Sequence, residues 1–269
     1  MPQLYTQLPV RSSNLGILMP QTRTFRSFQF RQAVYRVHSS HFSEISRCIR
    51  RLWNELEEYI ALHPQFKESY SPLPQPLPDE KPLSESVRRM LQASRTAGVG
   101  PMAAVAGTFA QLAAEAGRAA GDTEVIVENG GDIYMYLEQP LLLALWVGPD
   151  SPFRDLAFSI PAADSPLAVC SSSSKLGHSV SFGECDLCTV FSKDASLADA
   201  AATAYCNRIR QSADLQPAVE ELVQISGIKG AVAVKDDKLA IAGSTPQLVR
   251  HTDAELAKKI TRHSRYSEA

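Results

Sequence analysis

The chain has 269 residues, 44% hydrophobic and 21% charged, with a formal net charge of −2. This is the composition of an ordinary globular protein, large enough for one core or two small lobes. The weak net charge argues against a nucleic-acid or polyanion partner, and no apolar run reaches the length of a membrane span.

Taken in chain order, residues 1–24 read as an irregular segment without the apolar run of a signal peptide. Phe28, Phe30, Ala33, Tyr35 and Val37 alternate with polar residues, the pattern of one or two half-buried antiparallel strands. Residues 42–62 form the clearest helix, with Ile45, Ile49, Leu52, Trp53, Leu56 and Ile60 on one stripe and His63-Pro64 as its stop. Residues 71–82 carry five alternating prolines and read as an extended linker. A second helix is predicted over 84–97, then Gly98-Val99-Gly100-Pro101-Met102. A third helix follows to about Ala120, built almost entirely of small residues that permit close backbone packing.

Strands are predicted over 124–128 and 133–137, and a buried strand over 141–147. Shorter strands are expected at 168–169 and 189–191, on either side of a Ser- and Gly-rich segment. A helix that carries Asp199 runs to about Arg210, and another covers 217–225. A hairpin turns at Lys235-Asp236-Asp237-Lys238, and the tail 253–269 reads as helical and charged. Together these elements predict a single α+β domain over 25–252, with a mainly antiparallel sheet and packed helices.

Four places carry polar groups in patterns that chemistry uses. In Ala198-Asp199-Ala200-Ala201-Ala202-Thr203-Ala204 a helix puts Asp199 and Thr203 four residues apart on one face. A carboxylate and a hydroxyl are hard oxygen ligands of the kind Mg²⁺ takes beside substrate phosphates; an Asp near a helix start is equally a cap. Asn129-Gly130-Gly131-Asp132 is either a tight hairpin turn or a glycine loop whose bare backbone meets a diphosphate or a planar ring. Ser171 to His178 is a polar loop offering hydroxyls and an imidazole. Cys185-Asp186-Leu187-Cys188 has metal or redox spacing, but reads as two small buried hydrophobes. The five cysteines, odd in number and irregularly spaced, are expected reduced and metal-free. They fit a reducing, cytoplasmic setting.

In this order, Gly98 to Ala110, the Asn129 turn, the Ser171 to His178 loop and Asp199-x-x-x-Thr203 resemble the ApbE-type flavin transferase superfamily. More closely, Gly100-Pro101-Met102-Ala103-Ala104-Val105-Ala106-Gly107 and Gly177-His178-Ser179-Val180-Ser181-Phe182-Gly183 resemble runs of its cytoplasmic ApbE-like branch. The resemblance spans about Arg26 to Ser244. It implies an ApbE-like α+β fold that binds FAD, and an Mg²⁺-dependent transfer of FMN from FAD to a Ser or Thr of an acceptor protein, or FAD hydrolysis. It implies Asp199 and Thr203 as metal ligands and His178 as the group that activates the acceptor hydroxyl. Gly107, Thr108, Asn129, Gly130, Gly131, Asp132, Ser172 and Ser173 are implied to line the nucleotide, all on one cleft. The chain departs from the transferases in three places. Ser179 to Gly183 replaces an Asp-Pro-x-Thr-Gly type run, Ser173-Ser174 stands where they carry Ser-Gly, and Ala106-Gly107 stands where they carry Lys-Gly. A flavin- or metabolite-binding protein that has lost transfer chemistry is the alternative reading.

Overall fold

The computed structural model describes residues 23–74, 82–174 and 183–250. Most of the N-terminal segment, the centre of the proline-rich linker, His178 with its neighbours and the C-terminal tail therefore lie outside the described residues.

Strands β1 (Arg26–Phe30) and β2 (Ala33–His38) form the first hairpin. Helix α1 runs over Phe42–Leu62, with Ile45, Ile49, Leu52 and Leu56 inward. Its partner Trp53 donates its indole N–H to Tyr35 Oη at 3.0 Å, tying helix to sheet. A single turn, α2 (Gln65–Glu68), follows Pro64. Helix α3 (Glu85–Ala97) starts at the cap Ser84, whose hydroxyl accepts from Val87 N–H, and ends at the left-handed Gly98. The small-residue helix begins as a 3₁₀ turn (Pro101–Ala104) and continues as α4 (Val105–Ala119).

Next come β3 (Val125–Asn129), β4 (Asp132–Tyr136), β5 (Leu141–Ala144), β6 (Leu156–Ile160), β7 (Leu167–Ser172) and β8 (Leu187–Ser192). Helix α5 (Ala195–Cys206) and α6 (Leu215–Leu222) precede β9 (Ile228–Lys235), β10 (Lys238–Gly243) and β11 (Gln247–Arg250). All pairings among the described residues are antiparallel. The main sheet has eight strands in the order β1-β2-β3-β4-β7-β8-β9-β10, and a second has three in the order β11-β6-β5.

Side-chain alternation sets the layers. Along β3, β4, β7, β8 and β9, the residues Val125, Val127, Tyr134, Ala168, Cys170, Val190, Ala231 and Ala233 face the helices. Their neighbours Ile126, Met135, Leu167, Val169, Phe191, Val232 and Val234 face the small sheet, where Leu156, Phe158 and Ile160 of β6 meet them. A period of two with apolar residues on both faces gives a sheet buried on both sides. The result is helices, large sheet and small sheet, stacked in three layers.

Three expectations need correction. The 141–147 segment is only partly a buried strand: β5 ends at Ala144 and lies at the edge of the small sheet, leaving Leu142 56% exposed. The helix through Asp199 stops at Cys206 rather than Arg210. There Glu184 N–H takes the Ile209 carbonyl at 2.9 Å and draws the chain out of helical register. Strands β6 and β11 are additional to the predicted set, although Leu156, Phe158 and Ile160 carry a legible period of two.

Candidate functional site

Gly107, Asn129, Asp132 and Asp199, singled out in the sequence, lie where the N-terminal turn of α4, the β3–β4 turn, the end of β7 and helix α5 come together. The starting point is close packing. A Cβ placed on Gly107 would lie 2.3 Å from the Ala195 carbonyl oxygen and 2.8 Å from Asp199 Cβ. Only glycine lets α4 and α5 approach so nearly. The alanines of α5 complete the fit, with Ala195, Ala198, Ala201 and Ala202 fully buried.

That approach lets each helix cap the other. The first amides of a helix have no intrahelical acceptor, and Ala104, at the start of α4, has no side chain to supply one. Asp199 supplies it from α5: its Oδ2 accepts from Gly107 N–H at 2.8 Å, and the Ala106 N–H also bonds to its carboxylate. In return Gln111 Oε1 accepts from Ala195 N–H at 2.8 Å at the head of α5. The Asp194 carboxylate, the local cap of α5, takes Leu197 N–H at 3.1 Å.

Asn129-Gly130-Gly131-Asp132 is a two-residue hairpin turn, with φ of 65° at Gly130 and 107° at Gly131 and Asn129 paired with Asp132. Positive φ at both central positions matches the twist of the strands, hence the glycines. The flanking residues share the parity of Val127 and Tyr134, so both face the helices. Asn129 Nδ2 donates to the Ala106 carbonyl at 3.2 Å, locking the turn to α4. Asp132 is 6% exposed. Cys170 and Ser171 of β7 and the charge of Asp199 act on its carboxylate, while the Cys170 thiol donates to the Ala195 carbonyl at 3.6 Å. Asp132 Oδ1 has no hydrogen-bond partner.

Gly107, Asn129, Asp132 and Asp199 are therefore drawn together, with Ser171 at their side. Ser172 and Ser173 are buried at the end of β7. Thr203 is half-buried one turn along α5 from Asp199, and the unbroken helix keeps both on one face. Thr108 has another place: fully buried, its hydroxyl donates to the Ala104 carbonyl and lies 2.8 Å from Ser196 Oγ, inside the α4–α5 contact. His178 lies outside the described residues.

Burial raises the pKa of both carboxylates. For Asp132 the nearby Asp199 adds to the effect of burial, and the Cys170 and Ser171 hydrogen bonds oppose it. For Asp199 burial lifts the value to about 7 against the two α4 amides. Among the described residues no basic side chain forms an ion pair with either.

All five cysteines are buried and stand outside any disulfide. The hydrogen bond that Cys185 shares with Cys206, then burial, raises the Cys185 thiol, and burial raises that of Cys188. These are packed thiols rather than thiolates. Among the described residues no three His, Cys, Asp or Glu side chains converge as a metal cluster, and no single helix is long and apolar enough to cross a membrane.

Comparison with known proteins gives the family. A family model described as "AbpE bacteria" matches residues 34–242. A UPF0280 protein of Methanocella arvoryzae is 45% identical over 215 residues, covering 80% of this chain and 84% of that protein. One from Archaeoglobus fulgidus is 38% identical over 228 residues, covering 82% and 92%. Among solved structures, the flavin transferase ApbE of Vibrio cholerae aligns over 84% of this chain and 98% of that one, at 15% identity and a TM-score of 0.48. With the family model spanning most of its length and relatives of this identity across it, the chain belongs to the AbpE bacteria family, together with the UPF0280 proteins.

Proposed function

We propose that this site binds FAD together with Mg²⁺ and breaks the flavin diphosphate. The FMN moiety passes to the hydroxyl of an acceptor protein or to water, and AMP leaves. One observation supports this most: the Asp199 carboxylate is anchored by the Ala106 and Gly107 amides on the α5 face that also carries Thr203. A carboxylate oriented by amides is the usual support of a metal ligand, and Asp with Thr is a hard-oxygen donor set that suits Mg²⁺. When bound, the metal would neutralise charge developing on the diphosphate, as phosphoryl transfer requires.

This chain's own residues then divide the work. Asp199 and Thr203 hold the metal, and Gly130 and Gly131 present a turn without side chains to the nucleotide. His178, by the sequence resemblance, takes the acceptor proton. The reading of a binding protein without transfer chemistry has support in Ala106, which leaves no lysine at the head of α4 to meet a phosphate.

Titration with FAD, with and without Mg²⁺, tests the proposal on the wild type, Asp199→Asn and Thr203→Val. Asparagine keeps an acceptor for the α4 amides while removing the charge, so the fold is retained. Metal-dependent affinity is expected in the wild type and a loss of about tenfold or more in each variant. Metal-independent curves that coincide for all three would leave Asp199 as the cap of α4. His178→Ala separates the two readings. Binding without turnover in that variant, beside turnover in the wild type, supports the enzyme; binding without turnover in both supports the carrier.

A further inference from the structure

We propose that the outer edge of β1 receives an extended segment of a partner protein carrying Asp or Glu at alternate positions, and adds it to the large sheet. This surface shares no residue with the site proposed for FAD. Among the described residues β1 pairs with β2 alone, so its other edge is open. Phe30 and Ala33 close the β1–β2 hairpin across a two-residue turn. Such a closing pair is hydrogen-bonded, and the bonding alternates along the ladder. Arg26, Phe28 and Phe30 therefore bond inward to β2, and the N–H and C=O groups of Ser27 and Gln29 point outward. Unspent donors and acceptors of this kind are the template onto which another strand adds.

Parity fixes what such a strand meets. Arg26, Phe28 and Phe30 lie opposite Val37, Tyr35 and Ala33 and share their helix-facing side. There guanidinium groups alternate with rings. Arg26 lies over the Phe42 ring at 4.9 Å, Phe42 meets Phe28 edge-on at 6.2 Å, and Phe28 stacks on Phe30 at 6.3 Å. Arg50 of α1 lies over both Phe28 and Phe30, at 5.0 and 4.8 Å, and Arg31 over Phe30 at 5.3 Å. All three arginines are exposed. Glu57 pairs with Arg31 at 2.7 Å, but among the described residues Arg26 and Arg50 form no ion pair. The rings hold these guanidinium groups in place without cancelling their charge.

That charge selects the occupant. A second copy pairing through its own β1 would set arginines against arginines, and like charges opposite one another destabilise a sheet. A phosphate chain has no donors for the outward carbonyls of Ser27 and Gln29. A peptide strand supplies donors and acceptors together, and its period of two places every second carboxylate beside Arg26 and Arg50.

The probe is a capped peptide of alternating threonine and glutamate, about eight residues long, titrated against the whole chain by NMR and fluorescence anisotropy. Binding is expected to shift the amide signals of Ser27 and Gln29 and to weaken as salt rises. Arg26→Gln and Arg50→Gln, both at exposed side chains, should each weaken it about two- to tenfold. Ser27→Pro removes an outward N–H that β2 does not use, and proline is tolerated at such an edge position. It should weaken binding about tenfold or more, with the cross-strand contacts of β1 and β2 retained. In the unbound protein the Ser27 and Gln29 amides should exchange rapidly with solvent. Absence of binding, affinity unchanged by Ser27→Pro, or equal affinity for a peptide with lysine in place of glutamate would overturn the proposal. Tighter binding of an oligothymidylate of equal charge would do so too. Slow exchange of the two amides in the unbound protein would also overturn it. Exchange restored by dilution would then give the edge to a second copy, and exchange slow at every concentration would give it to another segment of this chain.

Discussion

Gly107 shows how one position decides the geometry of the site. Replacing a helical glycine by alanine ordinarily stabilises by about 0.5–1 kcal/mol. Here the new methyl would meet the Ala195 carbonyl at 2.3 Å, and backbone does not yield as a side-chain tip does. Overpacking of this kind costs about 1–3 kcal/mol. Gly107→Ala is therefore expected to destabilise in urea denaturation and to weaken any ligand that depends on Asp199.

The buried carboxylates make a second claim on single residues. Their pKa values are raised on folding, Asp199 to about 7. A group with a raised folded pKa contributes its stability at low pH and loses it as pH rises through the folded value. The metal-free protein should thus lose stability progressively from about pH 4 to about pH 7, between the ordinary carboxylate value and the folded value of Asp199, and Asp199→Asn should flatten that slope in thermal melting. Asp122 has the opposite sign. Burial opposes the shift, but the Ser39 hydroxyl and the Ser40 and His41 amides prevail and lower its pKa. Its contribution is lost only as pH falls below the ordinary carboxylate range.

Helices α4 and α5 act as a unit because each supplies the other's missing cap. Gln111 is the less conspicuous half of that exchange, yet its Oε1 holds the first amide of the helix that carries Asp199 and Thr203. Leaving a buried amide unmatched costs about 1–3 kcal/mol. Gln111→Ala is expected to lower the urea midpoint by a corresponding amount and to reduce protection of the Ala195 amide in hydrogen exchange. Sequence periodicity marks both helices, and it marks α1 to the residue, since apolar spacing and His63-Pro64 are local signals. The reciprocal capping has no local signal, because Asp199 reads equally well as the cap of its own helix.

The three-layer arrangement puts the candidate site on one side of the large sheet and the small sheet on the other. Phe158 of β6 packs edge-on against Phe191 of β8, with ring centroids 4.9 Å apart at 80°. Phe158→Ala should cost about 3–5 kcal/mol of stability. It should leave the affinity of the folded protein for FAD unchanged, since Phe158 and Phe191 pack on the side of the large sheet away from the helices that carry Asp199. Denaturation and ligand titration on the same variant check both halves. Equal losses of stability and affinity would show that the layers are coupled through the sheet.

The sequence by itself determined the kinds of element and most of their extents, because hydrophobic period and turn chemistry are written within a few residues. It also put Asp199 and Thr203 on one helix face, a consequence of local backbone geometry, but left Asn129 to Asp132 open between a hairpin turn and a glycine loop. Only the tertiary structure decided that Thr108 is a packing residue, that Asp199 caps α4, and that Asp132 is buried with an unmatched oxygen. Those facts depend on which helix approaches which strand, and at what distance. That is set by close packing across Gly107 and the alanines of α5, between segments far apart in the chain.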